Sequence, residues 1–445
     1  MKPDFKNKRV TVVGMARSGI AAARALHALG ARVTVTDKKP LDQLVAQVKA
    51  LGTRAISVEA GGHPDRIFRE ADLVVLSPGV PKIPQVLAAR RRGVKVISEL
   101  ELAWLLSDAP YVGITGTNGK STVTTLTGLM LERAGKKVLV AGNIGNALTG
   151  DPAALRGRDW IVAELSSFQL EDIETFRPKV ASVLNVTQDH LDRYRSIGEY
   201  AEAKARIFRN QRKGDFLVLN FDDDIVKAMA RRSAATVIPF SRRLRFNPGA
   251  CVLDGWLTFN GRRILRADEI RIKGVHNLEN ALAAAAMSLL AGADDASVAA
   301  VLREFPGLEH RLEFVREKNG VTYINDSKGT NVGAVVKSVE GFTRPVILIA
   351  GGLDKGSDFS PLHDLFRQRV KLLILIGKAA DAMARALGTA TETVFAETLQ
   401  DAVALASSRA SHGDVVLLSP ACASFDMFKD FEDRGRQFKE AVHTL

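Results

Sequence analysis

Short apolar runs recur along this chain, each closed by Gly, Pro, Asp or Ser and followed by a stretch with helical spacing. Such alternation predicts an α/β protein built on parallel sheets. In a first segment, "RVTVVG", "RVTVTD", "DLVVLSPG" and "VKVISE" predict strands, with a helix over Ile20 to Leu29 after the first. A second segment begins near Glu99. It carries the strand runs "YVGITG", "KKVLVAGNIG", "DWIVAELSS" and "VASVLNVTQDH", each turning polar at its C-terminal end. Ligand sites of such sheets gather at the carboxyl ends of strands. A third segment starts after "FPGLEHRLE", near Gly307, where "VTYINDSKGTN", "PVILIAGG", "KLLILIG" and "DVVLLSP" predict another small parallel sheet. The expected domains are 1–98, 99–306 and 307–445.

At 445 residues the chain is too long for one ordinary domain. Its longest apolar stretch, "ALAAAAMSLLAGA" from Ala281, falls short of the roughly 18 residues that mark a membrane span. With two cysteines, Cys251 and Cys422, neither a disulfide framework nor a zinc pattern is available. The N-terminal "MKPDFKNKRVTVVG" carries no apolar signal core. A soluble cytoplasmic protein with no membrane partner is expected. The net charge of +12 raises nucleic acid as a partner. The basic residues are scattered, though, and their densest runs, "ARRRG" and "SRRLR", are short and poor in aromatics. A surface tolerant of small anions is therefore expected, and no nucleic-acid partner.

The stretch "GITGTNGKST" lies between a strand and a helical pattern. Its Gly-Lys-Ser core is that of a phosphate loop, but the glycine that should stand five before Gly119 is Ile114, and an extra glycine stands at Gly116. Gly116, Thr117, Asn118, Gly119, Lys120, Ser121 and Thr122 would surround phosphate oxygens with backbone N–H groups at a helix N-terminus. Lys120 adds a cation, and Ser121 a hydroxyl for Mg²⁺. Glu164 ends an apolar strand run, where an unpaired carboxylate is costly, so a metal or partner is expected there. Asp189, His190 and Asp192 end the next strand and suit hard-cation or phosphate chemistry. In the first segment, Gly14 and Gly19 bracket a strand-to-helix turn whose middle position is Ala16, a weak match to dinucleotide binders. Asp37 ends the second strand, where it can accept ribose hydroxyls.

Other positions stay open on the residues alone. Lys204, on an amphipathic helical stretch, has the spacing of an ordinary solvated or salt-bridged lysine. Asn277 and Asn280 stand one helical turn apart and could cap the helix or bond a base edge. Asp326, Ser327, Lys328, Thr330 and Asn331 follow a strand. "SPACASFDMFKDFEDRG" follows another and reads as small and polar residues opening a helix, a place for an anion or simply a capped turn.

These motifs together resemble the Mur ligase family, the ATP-dependent amino-acid-adding enzymes of peptidoglycan assembly. "TGTNGKST" matches that family's phosphate loop, missing glycine included; folylpolyglutamate synthases share it. "SPGVP", "AELSSFQLE", "NVTQDHLDRY", "INDSKGTN" and "SPACASFDMFKDFEDRG" are similar to the branch that adds D-glutamate. The resemblance spans nearly the whole chain. It implies a Rossmann-like domain for a UDP-sugar, a central P-loop ATPase-like domain, and a Rossmann-like C-terminal domain. It implies the substrates UDP-N-acetylmuramoyl-L-alanine and D-glutamate and two Mg²⁺ sites; a monomer is expected, although the sequence does not give the oligomeric state. It also implies roles: Lys120 on the γ-phosphate; Ser121, Glu164, His190 and a carbamylated Lys204 on metal; Asn277 and Asn280 on adenine. Arg311 and Asp326 would contact the nucleotide phosphates and ribose, and Asn143 the substrate. Asp37 and Ser77 would lie in the UDP-sugar pocket, and Lys328, Thr330, Ser424 and Phe431 would receive D-glutamate. Lys355 matches only loosely. A P-loop ATPase without an acyl acceptor would carry the first glycine, and a dehydrogenase is disfavoured by Ala16.

Overall fold

A computed structural model describes residues 3–81, 83–189, 193–354 and 356–445. Among them, strands form three sheets of five, nine and six. The chain divides into two compact units. The first holds residues 1–186, 198–271 and 278–304, and the second 187–197, 272–277 and 305–445.

The first sheet of the first unit contains β1 (Arg9–Val13), β2 (Arg32–Asp37), β3 (Ser57–Ala60), β4 (Leu73–Leu76) and β5 (Lys95–Ser98). They pair in parallel in the order β3-β2-β1-β4-β5. The order reverses at β1, which opens a crevice at its carboxyl end. The helix after β1 spans Arg17–Ala28, starting three residues before the predicted Ile20, and packs Gly19, Ala22, Ala23 and Leu26 inward. β3 was not predicted; its "SVEA" is short and none of its positions is fully buried, so it carries no apolar run.

The second sheet contains β6 (Tyr111–Thr115), β7 (Val138–Gly142), β8 (Trp160–Glu164), β9 (Val180–Val183), β10 (Phe216–Asn220), β11 (Thr236–Ser241), β12 (Ala250–Leu253), β13 (Trp256–Phe259) and β14 (Arg262–Arg266). Their order is β14-β13-β12-β11-β10-β9-β6-β8-β7. β6 lies between β8 and β9, so the loop that follows it emerges where the strand order reverses. β12 to β14 run antiparallel, an extension the sequence pattern did not predict.

The second unit holds β15 (Glu313–Lys318), β16 (Val321–Asn325), β17 (Val346–Gly351), β18 (Val370–Ile376), β19 (Glu392–Phe395) and β20 (Val415–Ala421). The order is β15-β16-β20-β17-β18-β19. Every residue of β16, β17 and β20 is buried, as expected of parallel strands covered on both faces. The side chains alternate accordingly: Leu348, Leu373 and Leu417 enter one core, and Ile347, Ile374 and Val416 the other. A parallel sheet was expected here, and this is corrected at the edge, where β15 runs antiparallel to β16.

Candidate functional site

Register brings the first unit's chemistry together. Ile114 of β6 pairs with Glu164 of β8, and Thr115 with Val183 of β9. The Gly116–Thr122 loop therefore leaves β6 between the ends of its two neighbours and enters the helix Lys120–Arg133. Gly119 at the helix start has φ +83°, a left-handed conformation that favours glycine, and a Cβ there would lie 2.3 Å from Asn280 Oδ1 and push that side chain aside.

Asn185 braces this loop. Its side-chain oxygen accepts from Asn118 N at 2.8 Å, its amide donates to Asn118 O at 3.1 Å, and its backbone O accepts from Thr117 N at 3.0 Å. Sequence reasoning missed Asn185. It stands in "LNVTQDH", where the acidic residues and histidine drew the eye. Asp189 accepts from Asn331 Nδ2 at 3.2 Å. His190, Asp192 and Lys355 lie outside the described residues.

Lys120 Nζ donates to Gly116 O at 2.9 Å and to Thr117 O at 2.7 Å. Lys204 Nζ donates to the same Gly116 O at 2.9 Å and lies 4.0 Å from the Tyr200 ring centroid. Lys204 is only 1% exposed. Of the solvated or salt-bridged lysine that its spacing suggested, the solvated alternative is thus corrected: the helix Ile197–Ala205 turns this face inward, with Tyr200 one turn earlier. Two ammonium groups thus donate to one carbonyl oxygen.

Glu164 is 2% exposed. Its Oε1 accepts from Asn143 Nδ2 at 2.8 Å, while Oε2 has no hydrogen-bond partner among the described residues. A buried carboxylate oxygen left without a donor is costly, and a divalent cation would supply the missing partner. Ser121, at the first turn of the helix and buried, adds a hydroxyl. The donor set of hydroxyl and carboxylate fits Mg²⁺.

In the first sheet, Asp37 accepts from Met15 N at 2.8 Å and Lys39 N at 3.0 Å. Ser77 Oγ donates to Gly14 O at 3.0 Å. A Cβ at Gly19 would lie 1.9 Å from Gly14 O and 2.4 Å from Ser77 Oγ, so this turn exists only with glycine there. Arg17, unpredicted, reaches from the turn to Gly145 O at 2.6 Å and Asn143 O at 3.4 Å.

The helix Val275–Leu290 carries both predicted asparagines. Asn277 Nδ2 donates to Lys273 O at 2.9 Å, and Asn280 is buried.

In the second unit, Asp326 is buried, and its oxygens accept from Ser338 Oγ and Ser419 Oγ, both at 2.7 Å, and from Leu312 N at 3.2 Å. Burial pushes its pKa up, with the hydroxyls and nearby Arg311 opposing. Lys328 Nζ lies 3.6 Å from the Phe431 ring centroid. Thr330 lines a cavity of about 330 Å³ with Asn331, Val336, Leu353 and Ala423, adjoining Asp189. Ser424 is 2% exposed. One expectation is corrected here: Ser424 does not open a helix. The helix Phe431–Thr444 begins seven residues later, capped by Asp430, whose carboxylate accepts from Asp433 N. The carboxylate is the stronger cap for the helix N-terminus.

The first two sheets, with a glycine-pinned phosphate loop beside a half-partnered carboxylate, define a nucleotide-phosphate-binding α/β protein. Three family models match the chain: the Mur ligase MurD-like N-terminal domain over residues 8–98, the Mur ligase middle domain over 114–288, and the Mur ligase glutamate ligase domain over 310–422. The chain belongs to the Mur ligase family. It is 51% identical to the UDP-N-acetylmuramoylalanine–D-glutamate ligase of Geotalea uraniireducens, over 99% of this chain and 98% of that one. It is 49% identical to the ligase of the same name from Geotalea daltonii, over the same shares. Among solved structures, the UDP-N-acetylmuramate-alanine ligase MurC of Thermotoga maritima superposes with a TM-score of 0.63 at 20% identity, covering 98% of this chain and all of that one. That likeness is one of fold. Among the described residues, no helix is long and apolar enough to cross a membrane.

Proposed function

We propose that this chain is an ATP-dependent ligase that joins D-glutamate to UDP-N-acetylmuramoyl-L-alanine in cytoplasmic peptidoglycan precursor synthesis, working as a monomer. Two near-full-length relatives carry that activity in their names. The observation that carries the chemistry is Glu164, a buried carboxylate with one unpartnered oxygen, paired in register beside the strand that feeds the phosphate loop.

A carboxylate is a poor acyl donor. Transfer of the γ-phosphoryl of ATP to the terminal carboxylate of the UDP-sugar substrate gives it a leaving group. The amine of D-glutamate then attacks the acyl carbon, and inorganic phosphate departs as the amide forms. Loop N–H groups from Gly116 to Thr122 hold the phosphates, and Lys120 leaves the Gly116 and Thr117 carbonyls to offset charge on the transferring group. Mg²⁺, held by Ser121, Glu164 and His190, would neutralise the phosphates when bound. Asp37, Ser77 and Asn143 would receive the UDP-sugar. Asn277, Asn280, Arg311 and Asp326 would receive the nucleotide. Lys328, Thr330, Ser424 and Phe431 would receive D-glutamate.

Lys204 completes this set as a carbamate: its neutral amine adds CO₂ and loses a proton, becoming an anionic oxygen ligand. Support comes from the Gly116 carbonyl, on which two ammonium groups converge. Converting one of them to an anion removes the repulsion. Lys204→Ala should be nearly inactive, with partial recovery in formate or acetate. Full activity of that variant would return Lys204 to a packing role. The reaction itself is tested by ADP release with each substrate in turn withheld. Release that does not depend on D-glutamate, or that a folate substrate supports instead, overturns the assignment.

A further inference from the structure

We propose that Arg434 is a positioning residue that sets the geometry of the amino-acid pocket by clamping its three chain segments together. The inference rests on the assignment of Lys328, Thr330, Ser424 and Phe431 to D-glutamate. Arg434 is the largest fully buried side chain of the described residues, with 0% exposure. Its Nε donates to Ser327 Oγ and its Nη2 to Ser327 O, both at 2.9 Å; Nη1 and Nη2 both donate to Cys422 O at 3.3 Å. Ser327 Oγ donates onward to Phe431 O at 2.8 Å. One guanidinium therefore joins the segment carrying Lys328 and Thr330, the segment carrying Ser424, and the first residue of the last helix.

All these acceptors are uncharged. The carboxylates of Asp426 and Asp326 favour its charge without accepting a hydrogen bond from it among the described residues, and a buried cation held mainly by neutral acceptors is a poor device for stability, since an apolar side chain of similar size would fill the space at lower desolvation cost. What only arginine supplies is a rigid fork of donors that spans two backbones at once. Burial lowers its pKa to about 10, which leaves it charged at neutral pH.

The clamped segments need holding. Ala421, next to Cys422, has φ +61°, a left-handed conformation that alanine keeps only where its surroundings over-determine it. Its N–H donates to Gly329 O at 2.8 Å, between Lys328 and Thr330, and Ala423 exchanges two backbone hydrogen bonds with Leu353. Arg434 grips the carbonyl between these two anchor points. Releasing it frees the Cys422 peptide to rotate, and with it the placement of Ser424.

The test uses the full-length protein and the variants Arg434→Lys, Arg434→Met and Ser327→Ala. A lysine can keep one of the carbonyl contacts but not the fork. Arg434→Lys should raise KM for D-glutamate roughly ten- to hundredfold while leaving KM for ATP within about twofold, and Arg434→Met should raise it further. Ser327→Ala, which removes only the hydroxyl relay, should give a smaller rise of the same kind, and should add little on top of Arg434→Lys. KM values that rise together for all substrates, or a D-glutamate KM that does not move, overturn the proposal. If the arginine variants do not fold, an unchanged D-glutamate KM in Ser327→Ala overturns it alone. Wild-type protein whose ADP release ignores D-glutamate would instead sink the underlying pocket assignment.

Discussion

The phosphate loop and the amino-acid segments are both built at the carboxyl ends of parallel strands, yet they treat polar groups in opposite ways. Around the loop, two lysines donate to the Gly116 carbonyl, and Glu164 Oε2 has no donor among the described residues. Around the amino-acid segments, most buried groups close on one another, with Asp426 Oδ1 as an exception. Asp326 takes two hydroxyls and a backbone N–H, and Arg434 spends its donors on the backbone of two segments and a serine hydroxyl. On the reading proposed above, the first arrangement is a site that its ligands would complete, with Glu164 Oε2 turned to a cation. The second is a scaffold that fixes the shape of a pocket and leaves binding to the side chains it carries. Removing a group from the first should therefore cost turnover, and from the second, affinity or stability.

The largest effect expected on the loop side is that of Lys120→Ala, which removes a cation from the transferring phosphoryl group. Turnover should fall by about 10³–10⁵, with urea midpoint and far-ultraviolet dichroism unchanged. Near-normal turnover would remove the loop from the chemistry and erase the contrast. Glu164→Gln comes next. The amide keeps the shape and offers Asn143 an acceptor, but loses the charge that a cation needs. Activity should fall roughly a hundredfold, and the Mg²⁺ concentration for half-maximal ADP release should rise. A variant with unaltered Mg²⁺ dependence would show that Glu164 answers its missing partner in another way. Glu99 is likewise buried with one oxygen unpartnered among the described residues, and burial pushes its pKa up against the hydrogen bonds from Thr149.

How much of this was legible in sequence follows from how local each signal is. Long apolar runs such as "VILIAG" and "KLLILI" announced central strands, because a strand buried on both faces has nothing else to show. The edge strands β3 and β14 did not, because partly exposed strands carry mixed residues, and the short, largely buried β10 to β13 were not predicted either. The phosphate loop was legible because its glycines and lysine act within a few residues. The state of Lys204 was not: its burial depends on which face of a helix meets the loop, and no spacing within "YAEAKARIF" encodes that. Asn185 and Arg434 were passed over for the same reason. Their partners lie 67 and 107 residues away. Ser424 was misjudged because small polar residues serve a tight turn as well as a cap, and Asp430 took the cap.

A smaller and purely steric effect separates scaffold from ligand site within the first unit. Gly19→Ala places a methyl 1.9 Å from Gly14 O. The backbone must shift, at a cost of about 1–3 kcal/mol, read as a lowered urea midpoint. The shift falls on the turn that Asp37 and Ser77 hold, so KM for the UDP-sugar should rise while KM for ATP stays. An alanine variant of wild-type stability would mean that this turn yields easily and is no scaffold.

The smallest effect tests whether the closed character of the second unit has a weak point. His276 lies among Lys337 and Arg311, and burial first, then those two cations, lower its pKa to about 4. The folded unit thus holds this histidine neutral, whereas the unfolded chain protonates it near its ordinary value of about 6.5. Below that value the unfolded state binds a proton that the folded state refuses, so stability falls as pH drops from about 6.5 toward about 4 and levels off below. Above about 6.5 the group contributes no slope. Hydrogen exchange in peptides of residues 305–445, corrected for the intrinsic rate at each pH, should show easier opening across that window. His276→Asn, which cannot titrate, should flatten it while leaving the loss from acidic residues at lower pH. An identical slope in the variant would assign the window to other groups and leave His276 as one more satisfied member of the scaffold.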